Sequence, residues 1–168
     1  MTAKPATSHS PKRPFSLARK SSARVAAVQC LYRLKITGED TEPEALLADY
    51  LAGWKDDKSG STRVISLEAD PDKGFLRKLI TGTMQKREEI DTIIRSSLND
   101  KWTPERMSPL LLAVLACAVY EMKYAPALAA PVIIDEYVTL TGRFFEAPEV
   151  GFVNGLLDTL AKELRSPS

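Results

Sequence analysis

The residue types that most often perform catalysis are scarce in this chain and badly placed for it. The only histidine, His9, lies in a segment rich in proline, serine and threonine, where no regular element is predicted to hold it. The sequence therefore offers no well-positioned histidine for a catalytic triad or for most zinc sites. It also contains no glycine-rich phosphate loop and no C-x-x-C pair.

Two cysteines and two acidic pairs are the remaining candidates for reactive groups. Cys30 and Cys117 are far apart and each sits in an apolar stretch, which favours buried, reduced thiols over a disulfide or a metal site. The acidic pairs at 88–89 and 135–136 are adjacent in sequence, and neighbouring side chains on a helix point in different directions. A solvated helix face explains them better than a carboxylate dyad does. We therefore predict a protein that is not an enzyme and has no catalytic residue, metal or cofactor.

The basic residues are concentrated at the N-terminal end of the chain. The first 38 residues contain eight lysines and arginines and no acid, whereas the rest of the chain contains 15 basic and 22 acidic residues. Such a basic arm is typical of proteins that contact the phosphate groups of a nucleic acid. The alternative is a tail that only increases solubility.

The elements that would position these groups are predicted to be helices throughout. Residues 1–19 have no apolar period and contain three prolines, so they are predicted to be a disordered basic tail. Helical spacing begins near residue 20, and Gly38 supplies the first stop. The pairs Asp70-Pro71 and Ser108-Pro109 each look like an N-cap followed by the first helical residue.

The second half of the chain is more apolar. Residues 75–98 predict one long helix or two helices joined near Gly82, and the run at 110–119 predicts a central buried helix. That run is too short to cross a bilayer, which takes about 20 residues, and the N-terminus lacks the apolar core of a secretory signal. We predict a cytoplasmic, all-α bundle of about seven helices, with no membrane partner.

Three stretches together resemble the transcription antitermination family NusB. Residues 23–32 have Ala-Arg, then Gln, then Leu-Tyr at the spacing of the family's opening helix. Residues 115–122 end in Tyr-Glu-Met, similar to the Tyr-Glu-Leu of the family's central helix. Residues 131–158 contain an acidic pair, an aromatic residue, Phe-Val-Asn-Gly and Leu-Asp in the family's order. The resemblance covers about residues 20–165, which leaves only the tails outside it.

This resemblance implies a NusB-like helical domain at 20–165, made of two three-helix subdomains packed side by side at about 20–98 and 104–165. It also implies a factor that binds boxA-type RNA in nascent ribosomal RNA transcripts as a heterodimer with the ribosomal protein NusE. The pair would join an RNA polymerase antitermination complex with other Nus factors, so that polymerase reads through terminators. Some family members form homodimers, and a homodimer is compatible with the resemblance.

The family's RNA-binding residues transfer only in part. Its basic opening block corresponds to Lys20, Ser21, Ser22 and Arg24, so only the two ends are basic here. Ala116 and Gly151 also stand where the family often has a cation. Arg24 is expected to be exposed, and the tail is expected to compensate for the missing cations. The residues expected to contact RNA along the tail and the first helix are Lys12, Arg13, Arg19, Lys20, Arg24 and Gln29.

Aromatic rings supply the other half of single-strand recognition, because bases stack on them. Phe152 is the first candidate for a stacking ring and Tyr32 the second, although the helical pattern of both also suits core packing. Asn154 is expected to form a buried hydrogen bond, and Gly155 to allow a close helix approach.

The resemblance also implies a protein-binding surface on the central helix and on the connection before the last helix. The residues expected to contact NusE are Leu111, Phe145, Glu146, Pro148 and Glu149.

Three hypotheses follow from these observations. The first is an antitermination factor that binds boxA-like RNA with NusE. The second is a scaffold of the same fold that has lost RNA binding, which the missing cations motivate. The third is a stand-alone relative of the NusB-like domain found ahead of some rRNA cytosine methyltransferases, although the chain ends at Ser168 with no room for a catalytic half.

Overall fold

The protein is an all-α bundle, as the apolar pattern predicted. A computed structural model describes residues 14–38, 40–53, 67–99 and 101–165. Over these ranges it contains seven α-helices and one turn of 3₁₀ helix between the fourth and fifth. The helices are α1 Phe15–Thr37, α2 Pro43–Leu51, α3 Lys73–Gln85, α4 Arg87–Ser97, α5 Pro109–Tyr124, α6 Ala130–Phe144 and α7 Ala147–Leu164.

The first helix begins earlier than the sequence suggested. It starts at Phe15, where the amides of Leu17 and Ala18 donate to the carbonyl of Pro14, so the prediction of a disordered tail up to residue 19 is wrong for 15–19. The physical reason is that no proline or glycine interrupts this stretch, and Pro14 is tolerated at a helix start because its missing N–H has no partner there. Residues 1–13, with Lys12 and Arg13, lie outside the described residues.

Short polar signals define most other helix ends. Gly38 ends α1 in the left-handed conformation at φ 66°, and Ser108 caps α5 by accepting a hydrogen bond from the Leu111 amide at 3.1 Å, as predicted. The cap of α3 is Asp72, which accepts from the Phe75 amide at 3.0 Å, so the assignment of Asp70 as cap was wrong by two residues. Helices α3 and α4 are separate and meet at Lys86.

Helix α5 lies at the centre of the bundle. It packs against α1, α3 and α4 on one side and against α6 and α7 on the other. Helices α1, α2 and α3 contact one another, and so do α5, α6 and α7, which is the grouping expected of two three-helix subdomains. Their boundary near residues 98–104 stays a prediction. Because α5 is surrounded, nearly all of its residues from Leu111 to Met122 are buried.

The two cysteines are not joined by a disulfide in the described part of the chain. Cys30 and Cys117 are free and fully buried, as the sequence indicated, and burial raises the pKa of Cys30 to about 12. Within the same part of the chain no helix is long and apolar enough to cross a membrane, and no group of three potential ligands could hold a metal ion.

The closest packing of α3 on α5 takes place at Gly82. A Cβ placed on Gly82 would overlap the ring of Tyr120, so only glycine fits here without a shift. The sequence placed the close approach at Gly155 instead, and this was wrong, because a Cβ on Gly155 would meet no atom within 4 Å. Asn154 was also expected to be buried but is exposed.

Replacing the two helical glycines should therefore give opposite results. Gly82→Ala should lower the free energy of unfolding by about 1–3 kcal/mol, because the methyl group overpacks against Tyr120. The matched control, Gly155→Ala, should raise it by about 0.5–1 kcal/mol, because alanine is the better helix former in open space. Urea denaturation followed by circular dichroism measures both values. Equal effects of the two substitutions would contradict the close contact of α3 with α5.

Candidate nucleic-acid interface

Arg24, the strongest RNA-binding candidate by sequence, is buried. Only 4% of the residue is exposed, and its guanidinium forms a two-pronged ion pair with Glu121 on α5, with Nε at 2.8 Å from Oε2 and Nη2 at 2.9 Å from Oε1. Glu136 on α6 lies 3.6 Å from Nη1. The expectation that Arg24 is exposed was wrong, because its two acidic partners draw the guanidinium into the interior, where it cannot reach a phosphate without abandoning them.

Residues from α1, α3 and α6 complete the surroundings of Arg24. The Tyr137 hydroxyl on α6 donates to Glu121, and the Ser21 hydroxyl donates to Glu136 at 2.8 Å. The ring of Phe75 on α3 lies beneath the guanidinium, with its centroid 5.0 Å from Arg24 Cζ. We call Ser21, Arg24, Glu121, Glu136 and Tyr137 the buried polar network. It joins α1, α5 and α6, and it is covered by α3.

The pKa shifts in the buried polar network indicate the protonation states of Arg24 and Tyr137. Burial alone would lower the pKa of Arg24, but the hydrogen bond and charge of Glu121 outweigh it, so the pKa is raised and the guanidinium stays charged. Burial and then the charge of Glu121 raise the pKa of Tyr137 well above its ordinary value. Tyr137 is thus a neutral hydrogen-bond donor to the Glu121 carboxylate at all physiological pH values.

Two other cations that were expected to contact RNA, Arg19 and Lys20, are accessible at the start of α1. Lys20 is exposed, and its ammonium lies 5.9 Å from the centroid of Phe75. Arg19 is partly exposed, with its guanidinium 5.8 Å from the ring centroid of Phe15. We call Phe15, Arg19, Lys20 and Phe75 the cation–aromatic strip. Cations beside rings suit both components of a single-stranded nucleic acid, its phosphates and its bases.

The sequence missed both rings of this strip. Phe75 was assigned to the apolar period of its helix, and Phe15 fell in the segment interpreted as tail. The available signal was their aromatic type next to the basic head, since interleaved cations and aromatics characterise single-strand binding surfaces.

Gln29 and Tyr32, which were also expected to contact RNA, lie deeper in the fold. Gln29 is buried, and its amide donates to the Val25 carbonyl and to the Tyr50 hydroxyl, each at 3.4 Å. This burial disfavours the expected RNA contact of Gln29, which stays a prediction. Tyr32 is half-buried and packs against the hydrophobic core, which favours the structural role that its helical pattern also allowed.

Phe152 is half-buried on α7 and stacks on Trp102, which precedes α5. The ring centroids are 4.2 Å apart, and the planes differ by 14°. The two rings form an aromatic pair at the surface of the C-terminal half of the bundle. Trp102 stands in a short connection without any periodic pattern, so no sequence signal marked it as a partner of Phe152.

Of the four positions where the family often has cations, Ser21 and Ser22 form hydrogen bonds within the protein, Ala116 is buried and Gly151 is exposed. Ser22 is buried and its hydroxyl accepts a hydrogen bond from the Ala69 amide at 3.0 Å, while Ser21 belongs to the buried polar network. Ala116 is buried and lines a cavity of about 380 Å³ between α1 and the junction of α3 and α4. Gly151 is exposed, and a Cβ there would meet no atom within 4 Å.

The expected protein-binding residues divide into a buried one and a surface group. Leu111 is buried at the first turn of α5 and faces the core, so the expectation that it lies on an exposed face of the central helix was wrong, and its partner contact stays a prediction. Phe145, Glu146, Pro148 and Glu149 lie together in the connection from α6 to α7 and its first turn. Glu146 and Pro148 are exposed, whereas Phe145 and Glu149 are half-buried.

A cation that the sequence did not single out, Arg165, holds the end of α5. Its guanidinium donates to the carbonyls of Met122 and Ala125, each at 2.8 Å, to that of Glu121 at 3.3 Å, and to that of Leu128. It therefore supplies a donor to the Met122 carbonyl, which has no intrahelical donor because Pro126 lacks an N–H.

Removing the charge of Arg24 should damage the fold and leave RNA affinity alone. Arg24→Met should lower the free energy of unfolding by about 3–5 kcal/mol, because Glu121 would remain buried without its cation. At a temperature where the variant is folded, the slope of log affinity against log salt should equal that of the parent chain. A slope reduced by about 0.7 would show instead that Arg24 contacts a phosphate.

Comparisons with known proteins place this arrangement in a family. The sequence model of the family described as "NusB family" matches residues 21–162. This range includes all seven described helices except the first turns of α1 and the last residues of α7. A curated relative from Nitrobacter winogradskyi, named "Transcription antitermination protein NusB", is 31% identical over 148 residues, covering 88% of each chain.

Solved structures share the fold. NusB from T. maritima superposes with a TM-score of 0.67 at 28% identity, covering 85% of this chain and 90% of the other. A chain from a structure named "Crystal Structure of Antitermination Factors NusB and NusE in complex with dsRNA" has the same TM-score, 0.67, at 22% identity, with coverages of 85% and 96%. The match of the family model over most of the chain, together with the curated relative, decides the assignment: this chain belongs to the NusB family.

Proposed function

We propose that this chain is a transcription antitermination factor that binds boxA-type RNA in nascent ribosomal RNA transcripts together with NusE. In this role it acts in the cytoplasm, within an RNA polymerase complex that contains other Nus factors, and promotes read-through of terminators without catalysing a reaction. The observation that carries the proposal is the cation–aromatic strip at the start of α1, where Arg19 and Lys20 are accessible beside two rings.

Relatives supply the second line of support. The matched curated proteins carry the name of an antitermination protein, and one structural neighbour was solved with NusE and double-stranded RNA. The basic head of the chain adds electrostatic attraction, since Lys12 and Arg13 precede the strip directly in sequence. We propose that these two cations, Arg19 and Lys20 contact phosphates. We also propose that Phe152, stacked on Trp102, offers a second aromatic contact.

The second candidate function is a scaffold of the same fold that binds protein but not RNA. The residues at the positions where the family often has cations favour the scaffold. Ser21 and Ser22 form hydrogen bonds within the protein, and Ala116 is buried. Each missing cation removes a phosphate contact, and affinity for single strands depends on their number. The two functions share the NusE surface and differ only in RNA binding.

Fluorescence anisotropy separates these functions. The antitermination factor should bind a boxA-containing RNA more tightly than a scrambled RNA of equal length, with affinity that falls as salt rises and increases when NusE is added. A scaffold should bind NusE and neither RNA. Equal affinity for the two RNAs would contradict sequence-specific recognition.

Each charge removed from the cation–aromatic strip should reduce the salt dependence of RNA binding by the amount expected for one phosphate contact. Lys20→Ala should reduce the slope of log affinity against log salt by about 0.7, the value for one phosphate contact on a single strand. The matched control is Arg87→Ala, which removes an equally exposed cation at the start of α4 and should leave the slope unchanged. If both variants lower the slope equally, the attraction is general and the strip is not the binding surface.

The connection before α7 is the proposed NusE surface, with Phe145, Glu146, Pro148 and Glu149 as its residues. Glu146→Arg should weaken NusE binding on the order of tenfold, because it reverses an exposed charge on that surface. Affinity for RNA in the absence of NusE should stay the same. The measurement is isothermal titration calorimetry with purified NusE, with Glu163→Arg, an exposed acid at the far end of α7, as control. Equal losses in the two variants would contradict this surface.

A further inference from the structure

Phe15 is the most exposed large apolar side chain of the described residues, with 70% of its surface open to solvent. It is the first residue of α1, and nothing in the packing of the bundle requires a ring there, because the core around α1 begins at Ala18 and Ala23. An isolated exposed ring is not unusual by itself. Its surroundings give it significance.

The charged group nearest the Phe15 ring among the described residues is the guanidinium of Arg19. Arg19, one helical turn further along, holds its guanidinium 5.8 Å from the ring centroid. Lys20 follows and is exposed, while the first turn of the helix contains no acidic residue. Arg19 also donates to the carbonyl of Asp70 at 3.4 Å, which tethers the guanidinium at this end of the helix. The ring is therefore presented next to a tethered positive charge.

We propose that Phe15 and Arg19 form a stacking site for an unpaired base of single-stranded RNA, at the N-terminal end of the surface formed by Lys20 and Phe75. This inference rests on the proposed function, and it assigns the recognition of a base to a residue outside the matched family region, which begins at residue 21. A base has a π-face that stacks on an aromatic ring, and the neighbouring guanidinium can neutralise the phosphate attached to it.

The distribution of apolar groups favours a base over an apolar peptide as the occupant. A protein-binding patch needs several contiguous apolar side chains. The next exposed apolar residue is Leu17, which is 47% exposed but lies two positions further on, roughly 200° around the helix from Phe15. Phe15 is thus a single ring beside one guanidinium, which matches the base and the phosphate of one nucleotide in an RNA strand.

The test uses the full chain and boxA-type RNAs that carry 2-aminopurine at successive positions, because the fluorescence of this base is quenched when it stacks. The parent chain should quench it at one or more positions. Phe15→Leu should abolish the quenching at one of these positions and weaken binding on the order of tenfold. The salt slope should stay the same, because no charge has been removed. Phe15→Trp should retain the quenching.

Leu17→Ala is the matched control, since it removes an exposed apolar side chain from the same turn of α1 but from another face. It should bind and quench like the parent chain. Circular dichroism should show equal helicity for all variants, because Phe15 and Leu17 are both exposed.

The other outcomes overturn distinct statements. If the parent chain binds RNA and Phe15→Leu binds and quenches equally well, the stacking site is wrong and the proposed function stands. If Phe15→Leu keeps RNA affinity but loses affinity for NusE, the ring is a protein contact and the stacking site is again wrong. If the parent chain binds no RNA, the proposed function itself fails, and the stacking site fails with it.

Discussion

The ion pair of Arg24 with Glu121 is the interaction on which the arrangement of the bundle depends. A buried guanidinium is tolerated only if its charge and its donors are matched, and here two carboxylates and one ring surround it. These partners come from α5, α6 and α3, so the ion pair specifies which faces of four helices meet. It also sets the rotation of α1. With Arg24 turned inward over Phe75, Lys20 one turn earlier lies at the outer edge of the same ring.

The helices were predictable because their information is local. Apolar periods, a glycine stop and a serine cap each act within a few residues, and the structure contains the elements they indicate. The errors concern long-range partners. An arginine on a helix is expected at the surface, and the acid that buries Arg24 is 97 residues away in sequence. In the same way, no local pattern distinguishes Gly82, which faces a tyrosine ring, from Gly155, which faces open space.

The basic residues of the first helix and its neighbours fall into two groups, one bound to groups of the protein itself and one accessible at the surface. Arg24 and Arg165 bind carboxylates and carbonyls of the protein itself, while Arg19 and Lys20 remain accessible. The number of these cations and their excess near the N-terminus can be obtained from the sequence. Which of them bind groups of the protein itself and which stay accessible cannot. That separation depends on which positions face a neighbouring helix, and therefore on the packing of the whole bundle. The serines at 21 and 22 fit the same division, since their hydroxyls tie α1 to α6 and to the segment before α3.

The helix against which most others pack is the fifth of the seven in the described residues, so it leaves the ribosome only after α1 to α4 have been made. Until that moment the faces of α1, α3 and α4 that pack against α5 in the finished bundle are uncovered, and Glu121 and Glu136, the partners of Arg24, have not been made. The Met122 carbonyl of α5 gains its donor later still, when Arg165 follows the end of α7. N-terminal regions often fold first during synthesis. Here the half-made chain is a basic, partly apolar helical segment that still lacks α5, the helix it packs against. During synthesis the chain therefore exposes helix faces that become buried only after residues made later have joined the bundle.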